Sequence, residues 1–273
     1  MTKSVVGDSL VYKVFKERLE ADSEEVVAFT NDLIAATSIW LPVEIYKSLP
    51  TLVPWVTRDP SCRRPVDEWG APDIRGFQRD DNSMIKGIPR SLLIRGPKNS
   101  VLTGQKIGTG FVASHVWRSD ESKDKDGLRN PRTNSFVPNL VWLPGLIAKL
   151  SDRPGSTVMR SLQSLSRRIY GDVDVEEKYA EYVEDCWDAL PPPSHSTESI
   201  DISTLHFFDV DEKFIKRRMK AIHDVSEFVD NLLKGQDDFQ APKTISSRYV
   251  DGLPNLSRNV LGGLRDELRI FLT

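Results

Sequence analysis

One imidazole and one carboxamide are the side chains in this sequence best placed to do chemistry. His115 stands near the end of the apolar run 110–117 (GFVASHVW), and 24 residues after it Asn139 opens a second run, 139–143 (NLVWL). A neutral imidazole can take a proton from water near pH 7. A hydrogen bond from an Asn or a backbone carbonyl would fix its tautomer, as orienting groups do in acid–base sites. A divalent cation beside such a base could stabilise the leaving 3′ oxygen of a phosphodiester while the His activates water. The bland alternative is that the two side chains satisfy each other as a polar pair in the core.

No other cluster competes strongly. The glycines at 104, 108 and 110 lack the Gly-Lys-Ser/Thr ending of a phosphate loop, and a strand pattern follows them, so they read as a glycine-relieved hairpin. The segment from Arg75 to Arg90 sets Asp80 and Asp81 among basic residues. Paired carboxylates can hold a hard cation, but Asp-Asp-Asn-Ser is also ordinary turn and cap sequence, and the turn reading leads. The basic residues around it are the better functional candidates, as phosphate contacts. His195 sits in a Pro/Ser linker and His223 on an amphipathic helix; His206, between Leu205 and Phe207, reads as a satisfied core histidine. Cys62 and Cys186 are far apart with no CxxC partner, which argues against a thiolate zinc site and a disulfide framework and suits a reducing cytoplasm.

The elements that must position His115 and Asn139 form an α+β pattern, with mostly helical N- and C-terminal parts around a small β-containing middle. Apolar spacing predicts helices from about 10 to 19 and from Ser23 onward, then prolines at 42, 50 and 54 leave short pieces, and 58–82 reads as an irregular connection. Strands are expected at 91–95 and 107–117. The charged loop 118–132 must be exposed or ordered by a ligand, and a helix is expected within 139–150 with Pro144 in its first turn. Ser156 should cap a helix ended by Gly171. An acidic amphipathic helix follows at 174–190, then helices at 211–234 and 256–272. The expected regions are 1–70, 71–171 and 172–273, unless the whole is one continuous domain.

Charge is unevenly distributed. Between Arg75 and Arg168 there are 17 Lys/Arg against 7 Asp/Glu, whereas Asp172 to Asp201 holds ten acidic residues and one Lys. A basic middle with acidic flanks suits contact with a polyanion through that middle. No window carries the roughly 18 uncharged apolar residues of a membrane span, and the N-terminus has no signal-peptide pattern, so the expected location is cytoplasmic.

A His closing the first strand of a hairpin, a variable loop, then Asn-Leu-x-x-Leu leading into a helix resembles the HNH, or ββα-metal, nucleases. The resemblance covers about 107–152. It implies that His115 is the general base, that Asn139 orients the hairpin or the His, and that the helix completes a metal site. Two features depart from the family: Ser114 replaces the metal-binding acid common before the His, and the helix offers no His, leaving Asp152 as the credible ligand for Mg²⁺ or another divalent cation. The implied function is a metal-dependent DNA endonuclease, of the restriction or defence type. Lys106, Arg118, Lys123, Lys125, Arg129 and Arg132 are the expected phosphate contacts. The rival is a non-catalytic protein with a degenerate unit of this kind, binding nucleic acid or docking a basic protein partner through the acidic helix 174–190.

Overall fold

The computed structural model describes residues 13–14, 17, 23–59, 77–117, 130–153, 155–193, 200–236, 250 and 252–272. In chain order the first half holds α1 (Glu24–Thr37), β1 (Ile39–Trp40), α2 (Val43–Ser48), β2 (Val56–Arg58), β3 (Gln78–Asp80), α3 (Ser83–Gly87), β4 (Ile94–Arg95) and β5 (Phe111–His115). There follow β6 (Leu140–Pro144), α4 (Gly145–Ser151), α5 (Thr157–Tyr170), α6 (Ala180–Asp188), β7 (His206–Phe208), α7 (Glu212–Lys234) and α8 (Arg258–Arg269). The protein is therefore α+β: eight helices among the described residues surround a five-stranded mixed sheet of order β4-β7-β1-β6-β5.

Helix ends follow local chemistry. Ser23, Ser156, Asp211 and Ser257 each accept a hydrogen bond from a first-turn N–H, at the starts of α1, α5, α7 and α8. Gly235 ends α7 in the left-handed conformation. The first helix expected from the sequence falls almost wholly outside the described residues.

The strands are where the expectations needed correction. Only Ile94 and Arg95 of the segment 91–95 pair, and the strand expected at 107–117 is confined to 111–115. Part of 58–82 is ordered by pairing: β2 and β3 run parallel, with Val56 opposite Gln78 and Arg58 opposite Asp80. The run 139–150 is not one helix. Leu140 to Leu143 are completely buried between β1 and β5, so a continuous apolar run here is a central strand. Pro144, which has no N–H to give a ladder, closes that strand and caps α4. The sheet also draws β1, β5–β6 and β7 from all three expected regions, so one core spans the chain. Trp142 and Phe208 meet edge to face at 5.1 Å within that core.

Candidate functional site

β5 and β6 pair antiparallel through five positions, from Phe111 opposite Pro144 to His115 opposite Leu140. α4 follows at once and packs on both strands. Its start is tied to the start of β5, where the Gly145 N–H donates to the Gly110 carbonyl at 2.8 Å. From there the helix runs back along β5. Seven helical residues rise roughly 10 Å, against about 14 Å for four strand steps, so the end of α4 arrives near the end of β5. This is a strand–strand–helix unit at the positions the sequence indicated.

The two sides of β5 differ because successive strand residues point to opposite faces. On the closed side, His115 is 1% exposed and its Nε2 lies 2.8 Å from the Asn134 carbonyl oxygen. A carbonyl can only accept, so Nε2 carries the proton and Nδ1 holds the basic lone pair. Asn139 is fully buried and laces the mouth of the hairpin. Its Oδ1 accepts from the Trp117 N–H and its Nδ2 donates to the Thr133 carbonyl, both at 2.8 Å. The Val116 N–H donates to the Asn139 carbonyl, Gln163 Nε2 to Val116 and Ser166 Oγ to Pro138, which fastens the mouth to α5. Of the two orienting roles expected for Asn139, the bonds to Trp117 and Thr133 serve the hairpin.

The open side is a cleft of about 480 Å³ lined by residues of β5 and α4 together with the turn 81–83, Lys86 of α3 and Arg58 of β2. From the strand–strand–helix unit come Ser114, Lys149 and Asp152; Ser114, and not His115, is the polar strand residue that lines it. Asp81 enters from the turn before α3. That turn is held by Asn82, which takes the left-handed conformation (φ 77°) and donates from Nδ2 to the Ala113 carbonyl at 2.6 Å. The Ser83 N–H donates to Asp81 Oδ1 at 3.0 Å. The Asp-Asp-Asn-Ser segment is thus a turn, as expected, and it also delivers a carboxylate to the cleft that Asp152 lines. No spacing along the chain announces this, since positions 81 and 152 come to line one cleft only through tertiary packing.

The expected phosphate contacts divide three ways. Arg118, Lys123, Lys125 and Arg129 lie outside the described residues. Lys106 is exposed, in the turn region before β5. Arg132 is committed elsewhere: its guanidinium pairs with Asp185 of α6 at 2.6 Å and with Glu267 of α8 at 3.2 Å. Glu267 is 4% exposed; burial raises its carboxyl above the ordinary range, and Arg132 pulls the other way. Arg132 therefore anchors the segment carrying Thr133 and Asn134. The cations facing the cleft are instead Lys86, from the basic 75–90 segment already read as a source of phosphate contacts, and Arg58 and Lys149, which the sequence reading did not offer as such.

No family model, no characterised protein and no solved structure matches this chain. The donor set must therefore speak for itself. Among the described residues, no three His, Cys, Asp or Glu side chains gather as a metal-binding group. Two carboxylates on one cleft suit Mg²⁺, which keeps several waters and needs only one or two carboxylates plus phosphate oxygens.

Proposed function

We propose that this chain is a metal-dependent, HNH-like endonuclease that hydrolyses DNA phosphodiester bonds, of the restriction or defence type and acting in the cytoplasm. The observation that carries this reading is the cleft where Ser114, Lys149 and Asp152 of the strand–strand–helix unit face Asp81. Arg58, Lys86 and Lys149 supply positive charge for a phosphate, and the cleft volume falls within the usual range for small-ligand sites. Asp152 and Asp81 would hold Mg²⁺, which when bound supplies charge stabilisation at the leaving oxygen. His115, protonated at Nε2 by its bond to Asn134, takes a proton from water at Nδ1. Because the ring is almost fully covered and lies on the side of β5 away from the cleft, this role requires the end of β5 to rearrange as DNA loads, bringing Nδ1 to the carboxylate side.

That burial also favours a second reading, a non-catalytic nucleic-acid binder that retains the unit as scaffold. In this reading the acidic face of α6 is the surface for a basic protein partner. Plasmid nicking with Mg²⁺ or Mn²⁺, paired with DNA binding across a salt series, separates the two. Nicking by the wild type that is lost in His115→Ala and Asp152→Asn, with salt-sensitive binding retained, supports the nuclease. Binding without nicking under any metal, or nicking that persists in both variants, overturns it.

A further inference from the structure

We propose that Ser100 is a nucleophile activated by His206, able to form an acyl-serine from carboxylic esters. This site lies in the β4–β7 part of the sheet and stands apart from the nuclease reading. His206 Nε2 and Ser100 Oγ are 2.6 Å apart, across 106 positions of sequence. That is hydrogen-bond reach between a hydroxyl and a base, the arrangement that activates a serine.

The contact is built rather than incidental. In the β4–β7 ladder Ile94 lies opposite Phe208 and Arg95 opposite Phe207, and the next residue, Gly96, lies against the His206 ring. A Cβ on Gly96 would sit 2.6 Å from Cδ2 of the His206 ring, so only glycine leaves room for the imidazole here. The chain then makes a tight loop that returns to β4, where Gly104 N–H donates to Ile94 and Ile94 N–H to Gln105. Inside the loop, Pro97 O accepts from the Ser100 N–H and from Thr103 Oγ1, and the Thr103 N–H donates to Ser100 O. These bonds fix the backbone at Ser100, and the Leu102 N–H donates to Ser100 Oγ at 3.2 Å, which holds the hydroxyl beside the ring.

The surroundings match the chemistry. His206 is 2% exposed, and burial holds it below its ordinary range, with the Ala35 carbonyl acting in the opposite sense. The neutral form needed of a base is thereby favoured. Ser100 is half-buried, and Val101 beside it is 89% exposed, so the loop that carries the hydroxyl reaches the surface. The backbone N–H of Val101 has no acceptor among the described residues. A donor directly after the nucleophile is the group that stabilises an oxyanion.

The step balances without a further reagent. As Oγ bonds to the ester carbonyl carbon, its proton passes to Nε2. Collapse breaks the bond to the leaving alcohol, which departs with that proton. Water then attacks the acyl-serine by the same route, releasing the carboxylic acid and restoring Ser100.

The test is covalent labelling with a fluorophosphonate probe, located by peptide mass spectrometry. Labelling at Ser100 that disappears in Ser100→Ala and slows at least tenfold in His206→Gln, with melting temperature unchanged, is the expected result. Absence of labelling at Ser100, or labelling undiminished in a folded His206→Gln, overturns the proposal. Should His206→Gln not fold, Ser100→Cys decides. Its thiol, read as 240 nm absorbance against wild type, is expected to titrate at least one unit below the roughly 8.5 of a free cysteine. An ordinary thiol titration sinks the idea.

Discussion

The two sides of β5 carry residues one position apart in sequence, both buried, that face different surroundings. His115 faces a buried, hydrogen-bonded knot made by Asn134, Asn139, Thr133 and Trp117. Ser114 faces an open cleft with two carboxylates and three cations. The closed side fixes geometry and the open side offers charge. A function that needs both must pass between them, across the thickness of one strand.

The largest effect that would break this division is on activity. Asp152 is exposed and carries no core packing, so Asp152→Asn should change stability by less than about 0.5 kcal/mol. The same variant should lower plasmid nicking by ~10² or more if its carboxylate serves the metal. Unchanged nicking would move the active centre away from the cleft.

On the closed side the expectation is reversed. Asn139→Ala leaves a buried N–H on Trp117 and a buried carbonyl on Thr133 without their partners. At about 1–3 kcal/mol for each, the loss should be roughly 2–6 kcal/mol. In calorimetry that corresponds to ~10 °C of melting temperature for a chain of this size. A change within two degrees would mean the knot contributes little.

A smaller, pH-dependent effect sharpens the role of Arg132. Glu267 is raised above its ordinary 4.5, chiefly by burial, so the folded protein holds this proton more tightly than the unfolded chain does. Stability then falls as pH rises from about 4.5 through the raised value. In Glu267→Gln this component of the slope should vanish. Melting curves between pH 4 and 7 compare the two proteins; parallel curves would show that the carboxyl is not coupled to folding.

The smallest effect concerns the cleft cations. Lys86→Ala and Lys149→Ala should each reduce the slope of log affinity against log salt by about 0.9, the value of one phosphate contact on duplex DNA. Lys106→Ala is the comparison from outside the cleft. A uniform response of all three would mean that cleft charge has no special part in binding.

Much of this was legible in the sequence because it depends on local chemistry. The caps at Ser23 and Ser156 were readable, and so was the apolar side of the acidic helix, where Tyr182 and Val183 of α6 are buried. The hairpin followed by a helix was readable from the His115 and Asn139 segments. The strand at 140–144 was not separable from a helix by pattern, since a fully buried run has no alternation. Asp81 in the cleft was hidden for another reason. Its place depends on the Asn82 bond to Ala113, a contact 31 positions away that no local rule encodes. Arg132 looked like any basic loop residue until folding brought Asp185 and Glu267 to it.

The lacing at the hairpin mouth has an engineering consequence. Trp117 is fixed to Asn139 on one side of the loop, and Arg132 is fixed to α6 and α8 on the other. Each tether rests on one side chain, so the mouth can be loosened from one side at a time: through Asn139 at Trp117, or through Arg132 at α6 and α8.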